Sequence, residues 1–148
     1  MVKQHRRVFV ASSVLLAAVL VTIWLLTVQT PRDTTALSTP WAQALSSAFG
    51  WSLGFASWVA RKVVHTVEFF PVGLLMALAA YNLPQAQRLS CNKVLAAVVV
   101  ICFACSLGDQ VHKMFVPGRE FDALDMCFDA LGYVLGALIG RAIAARQH

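Results

Sequence analysis

Arg61 or Lys62, His65 and Glu68 fall three or four residues apart. On a helix that spacing puts a cation, an imidazole and a carboxylate on one face. Asp109, His112 and Lys113 repeat it, and Asp122, Asp125 and Asp129 form a stripe at i, i+3 and i+7. These residue types suit chemistry on a phosphate ester. Arg119, with Lys62 or Lys113, can clamp phosphate oxygens, bidentately in the case of arginine. His65 held by Glu68 can be a general base or nucleophile, and His112 with Asp109 the acid. Asp125 and Asp129, four apart on one face, can instead chelate a Mg²⁺ that bridges the same phosphates, or serve a structural role.

The elements that must carry these groups are membrane helices. The chain has 148 residues, 59% of them hydrophobic and 13% charged, with a mean hydropathy of +0.69. That is too apolar for a soluble fold of this size. A hydrocarbon core about 30 Å thick asks for roughly 20 mostly apolar residues per spanning helix. Four candidates meet this, over residues 8–28, 63–81, 94–114 and 122–145. The expected fold is therefore an all-α integral membrane protein with four transmembrane helices, read as one domain over 1–148. Residues 8–28 follow the basic tail Lys3, Arg6, Arg7 as a signal peptide would, but the apolar run is longer than a signal's, which favours an uncleaved anchor. Between the first and second spans, Pro31 to Pro40 is polar, and Trp41 to Ala60 is only moderately hydrophobic. A short interfacial or re-entrant helix fits there, with Trp41, Trp51 and Trp58 at headgroup level.

With the N-terminal tail inside, Lys3, Arg6, Arg7, Arg88, Lys93, Arg141 and Arg146 lie on the inner side, a weak positive-inside bias. Both termini are then cytoplasmic. Arg32, Arg61, Lys62, Lys113 and Arg119 fall outside, as do all seven acidic residues. The ionisable residues thus gather at the outer face, and one shared polar pocket is the economical arrangement. The competing reading is that they only pair with each other, Glu68 with Arg119 or Asp109 with Lys113, and lock the helices together. Gly132, Gly136 and Gly140 continue the aspartate stripe and suit close helix contact. The formal charge of +5 is scattered between apolar segments, which argues against nucleic acid as a partner. Cys102 and Cys105 have CxxC spacing, but without a second pair they read as small core residues.

Two blocks resemble the VanZ-like family of small bacterial membrane proteins, named for a teicoplanin resistance determinant. Lys62, His65, Glu68, Phe69 and Gly73 are similar to its K-x-x-H-x-x-E-Y-x-x-L-G pattern, with Phe69 in place of the tyrosine and Val72 in place of the leucine. Asp109 to Gly132 is similar to D-E-x-H-Q-x-F-V-P-G-R followed by D-x-x-x-N-x-x-G, through His112, the run Phe115 to Arg119, Asp125 and Gly132. Gln110, Lys113 and Asp129 stand where the pattern has glutamate, glutamine and asparagine. If that glutamate is an acid or base in relatives, Asp109 or Asp129 has to assume its role here. The motif core spans about residues 60–140.

The resemblance implies an inner-membrane, multi-pass protein of the cell envelope with a link to glycopeptide resistance. It points to a membrane lipid or lipid-linked precursor, phosphate-bearing or polyprenyl-linked, as substrate of an outward-facing pocket. A non-enzymatic membrane protein that binds such a lipid or a glycopeptide is the alternative. A proton or ion path is a third reading, disfavoured because the inner halves of the spans are apolar.

Overall fold

A computed structural model describes residues 2–29 and 31–146. The side chains of Lys3, Arg32 and Asp33, which enter the charge balance above, lie outside the described ones. The fold is all-α: α1 Val2–Thr27, α2 Pro31–Phe49, α3 Leu53–Tyr81, α4 Cys91–Lys113 and α5 Ala123–Ala145. All but α2 are long and apolar enough to cross a membrane. The chain is accordingly a multi-pass membrane protein, with α2 between its first two spans.

The structure moves two boundaries. The polar stretch from Pro31 is helical through Phe49, and the second span begins at Leu53, ten residues before the apolar run at Val63. Proline is tolerated at the first position of a helix, where its missing N–H has no intrahelical partner. Gly50 then stops α2 in the left-handed region at φ 69°, with its N–H on the Ser46 carbonyl, and a residue without Cβ meets that demand at no steric cost. Ser52 caps α3 by accepting from the Phe55 N–H at 3.4 Å. At 29 residues, α3 is roughly 44 Å long, so its first turns reach beyond the hydrocarbon core.

Helices α1, α3, α4 and α5 alternate in direction, which places both termini at one end and α2 with the α4–α5 loop at the other. The tightest seam joins α3 to α5. A Cβ on Gly132 would stand 2.2 Å from the Thr66 carbonyl oxygen, one on Gly136 2.1 Å from that of Phe70, and one on Gly73 1.9 Å from that of Tyr133. The glycines thus let two backbones touch, the small-residue packing that replaces the hydrophobic effect where lipid is the solvent. Phe69, Val72, Val98, Cys102, Tyr133 and Ala137 close the core beside this seam. At the terminal end His5 Nδ1 donates to Asn82 Oδ1 at 2.7 Å, tying α1 to α3.

Candidate functional site

The seam fixes which side chains meet at the loop end. With Gly132 against Thr66, the turn of α5 before it faces His65. His65 Nδ1 lies 2.9 Å from Asp129 Oδ1, and Nε2 lies 3.1 Å from Asp125 Oδ2. Lys62, on the preceding turn of α3, reaches Asp125 at 2.6 Å and Asp122 at 2.7 Å, with the Trp58 ring 5.9 Å from its Nζ. Ser106 Oγ donates to the second Asp129 oxygen at 2.7 Å. Lys113 stands 3.3 Å from Asp125 and 3.4 Å from Asp109. The exposures of Asp129, Gln110, Lys62 and Lys113 are 0, 0, 3 and 5%, so this is a buried ionic network joining α3, α4 and α5.

Ionised carboxylates only accept hydrogen bonds. His65 Nδ1 faces Asp129, while Nε2 faces both Asp125 at 3.1 Å and the Lys113 ammonium at 3.4 Å, so both ring nitrogens are engaged within the network. The groups that orient His65 are Asp125 and Asp129, in place of the expected Glu68. Glu68 makes no hydrogen bond or ion pair among the described residues, although it lies within electrostatic reach of His65, Asp109 and Lys113. The pairing of Asp109 with Lys113 is present, and that of Glu68 with Arg119 is not among the described contacts. Both lysines expected to clamp phosphate are neutralised by carboxylates. Asp125 and Asp129 aim their oxygens at cationic side chains and a hydroxyl, and no group of three or more His, Cys, Asp or Glu among the described residues is placed to hold a metal ion. The Mg²⁺ site expected at that pair does not fit this arrangement.

Asp122 sits at the start of α5, outside the span, as its N-cap, accepting from the Leu124 N–H at 2.8 Å. Burial alone would raise its carboxyl. The Lys62 ammonium and the Leu124 N–H outweigh that and hold it below the usual carboxylate range. Its own backbone N–H donates to Gln110 Oε1 at 3.3 Å. This fixes the Gln110 amide and leaves its Nε2 buried without a partner among the described residues.

Helix α4 presents a second polar face. Ser106, Gln110 and Lys113 turn toward α5, whereas Cys105, Asp109 and His112 line a cleft of about 450 Å³ between α1 and α4. His112 stacks on Trp24 with ring centroids 4.9 Å apart. Its Nδ1 is buried without a hydrogen-bond partner among the described residues, and no hydrogen bond joins it to Asp109. Asp109 accepts instead from the Thr27 hydroxyl of α1 at 2.5 Å. The remaining wall is apolar and aromatic, from Leu20 and Ile23 to Phe69 and Phe115.

Arg119 leaves the α4–α5 loop from a tight turn, Val116 to Arg119, closed by the Arg119 N–H on the Val116 carbonyl at 3.1 Å. Pro117 and Gly118, the latter at φ 78°, are the residues that a type II turn requires at its centre. The guanidinium donates from Nη2 to the Thr34 hydroxyl of α2 and has no carboxylate partner among the described residues. Alanine at Gly118 would carry a left-handed conformation that costs about 1 to 2 kcal/mol. Gly118→Ala is therefore expected to lower the thermal midpoint of the protein in detergent, and an unchanged midpoint would contradict the turn's role.

Sequence spacing does not point to Ser106, Thr27 or Trp24. Their signals are weak ones: a hydroxyl one helical turn before Asp109 and Gln110, and two residues at the end of α1 at the depth of Asp109. No curated protein and no solved structure matches the chain. The family model described as VanZ/LLP1 matches residues 9–144, and the chain belongs to the VanZ/LLP1 family.

Proposed function

We propose that the protein binds a phosphate-bearing envelope lipid at the loop end of the bundle and acts on its headgroup through His112. The observation that carries this reading is the cleft between α1 and α4, apolar along its length and furnished with His112 and Asp109. An apolar cleft with a few polar groups is the usual form of a lipid or small-molecule site. Two membrane-spanning helices frame it. The His112 ring lines the cleft, which places an imidazole where it can exchange a proton with a headgroup or an attacking water. Asp109 is already bonded by Thr27 and faced by Lys113, and orients that end of the cleft without adding an unpaired charge. The anion falls to Arg119, whose guanidinium is bound among the described residues by a neutral hydroxyl, because Lys62 and Lys113 are neutralised. With the termini inside, this end faces outward, and the whole chain acts as one domain in the cell envelope.

A second reading is favoured by the extent of the ionic network. With His65, Lys62 and Lys113 engaged in it, few groups are left for turnover, and the same cleft and Arg119 can retain a lipid or lipid-linked precursor without changing it. Lipid profiles of membranes bearing the wild type, Arg119→Ala and His112→Gln at matched levels separate the two. A species altered by the wild type alone supports headgroup chemistry and names its class. Profiles that are identical in all three overturn it, and lipid co-purifying with the wild type but not with Arg119→Ala would then establish binding.

A further inference from the structure

We propose that the cleft holds one hydrocarbon chain of that phosphate-headed lipid, with Gly108 as the notch that admits it. This rests on the headgroup reading above and adds the place of the chain. The glycines of the spans differ in what surrounds them. Gly73, Gly132, Gly136 and Gly140 are each explained by a neighbouring helix that a Cβ would strike. Gly108 lies in the interior of α4, where glycine is destabilising relative to alanine, yet a Cβ there would meet nothing within 4 Å. No packing inside the protein accounts for it, and it lines the cleft.

The space is framed by Leu20 and Ile23 on α1, by Cys105 and Gly108 on α4, and by Phe69 behind them. Hydrocarbon is the surrounding medium at the depth of these two spans, and a volume of about 450 Å³ lies within the range of ligand sites. Charge supports a lipid with an anionic head: the polar end of the cleft carries His112, and Arg119, with no carboxylate partner among the described residues, lies at the same end of the bundle. Cys105 to His112 rises roughly 10 Å along the helix. The cleft therefore grips the part of the chain nearest the headgroup, and the remainder lies in the bilayer.

The test uses the full chain in phosphatidylcholine vesicles with a polyprenyl monophosphate carrying a diazirine in the units nearest the phosphate. Labelled peptides are mapped by mass spectrometry. Labelling of the wild type is expected to concentrate on residues 105–115. Gly108→Leu should reduce it at least tenfold, and so should Leu20→Trp, which fills the cleft from the opposite wall. Gly54→Leu, an equally open position in the first turn of α3, should not. Circular dichroism and elution volume matching the wild type show that the variants are folded. Undiminished labelling in both filled variants, or wild-type labelling no higher in the cleft than on lipid-facing Val100 and Ile101, would overturn the chain site. The two readings fail separately. Loss of labelling with no lipid altered in cells leaves the chain site standing without headgroup chemistry, whereas filled variants that still alter the lipid profile overturn the chain site alone.

Discussion

Replacing Gly136 with leucine is expected to part α3 from α5 and to cost more stability than the same change at Gly140. The new Cβ would stand 2.1 Å from the Phe70 carbonyl oxygen and 2.8 Å from the Leu74 nitrogen. Overpacking a core costs about 1 to 3 kcal/mol when side chains can rotate away. Here the opposing atoms are backbone, so the helices themselves must move, and the loss should lie at or above the top of that range. Gly140 offers an internal comparison, because a Cβ there would stand 2.8 Å from its nearest atoms, the Ala77 Cβ and the Leu74 carbonyl oxygen, so the helices need to part by less. Unfolding midpoints in detergent should fall in the order wild type, Gly140→Leu, Gly136→Leu. Equal midpoints for the two variants would contradict the backbone contact. Separation of the seam should also carry His65 away from Asp125 and Asp129.

Asp129→Ala should be as damaging for a different reason. It removes the acceptor of both His65 Nδ1 and Ser106 Oγ from a site with no exposure. Two magnitudes compete. Hydrogen bonds between membrane helices average only about 0.6 kcal/mol, because the unfolded chain in lipid also finds partners. Breaking a buried ion pair from one side costs about 3 to 5 kcal/mol, since the remaining charge stays buried. Asp125 still faces the His65 ring at 3.1 Å after the change, so most of the loss is expected from the two buried donors left without an acceptor, at about 1 to 3 kcal/mol each. Asp129→Asn distinguishes them, because its amide oxygen still accepts from His65 and its NH₂ can donate to the Ser106 oxygen. Asparagine, the residue of the family pattern at this position, should recover most of the stability, as read by thermal or denaturant unfolding. An alanine variant as stable as the asparagine one would show that the network contributes little.

The spans and the gathering of charge at one end were legible in the sequence, because hydropathy over a bilayer-length window and the spacing of Asp122, Asp125 and Asp129 are properties of single helices. The seam was legible too, as glycines repeating every four residues after Asp129. What spacing could not supply was the partner of each group. Glu68 follows His65 by three residues and shares its face, but the close approach of α5 at Gly132 turns the imidazole across the seam to two aspartates. Periodicity also merges the two polar faces of α4. Asp109 and Gln110 are adjacent in sequence and about 100° apart around the helix, enough to send one to the cleft and the other to the α5 interface. The start of α3 was hidden by Gly50 to Ser52, a break only three residues long between two amphiphilic stretches.

This division gives the two histidines different fates. On the function proposed above, His65 is structural, held by Asp125 and Asp129, and His112 is the group that works on the lipid. The most direct test compares His112→Gln with His65→Gln at matched levels in membranes, reading the lipid species that the wild type alters. Loss of a general acid or base typically removes about 10² to 10⁴ in rate. The account predicts that His112→Gln abolishes the alteration with little change in unfolding midpoint, while His65→Gln lowers the midpoint and keeps the alteration within tenfold of wild type. Full activity in His112→Gln, or its loss in His65→Gln alone, would contradict the account.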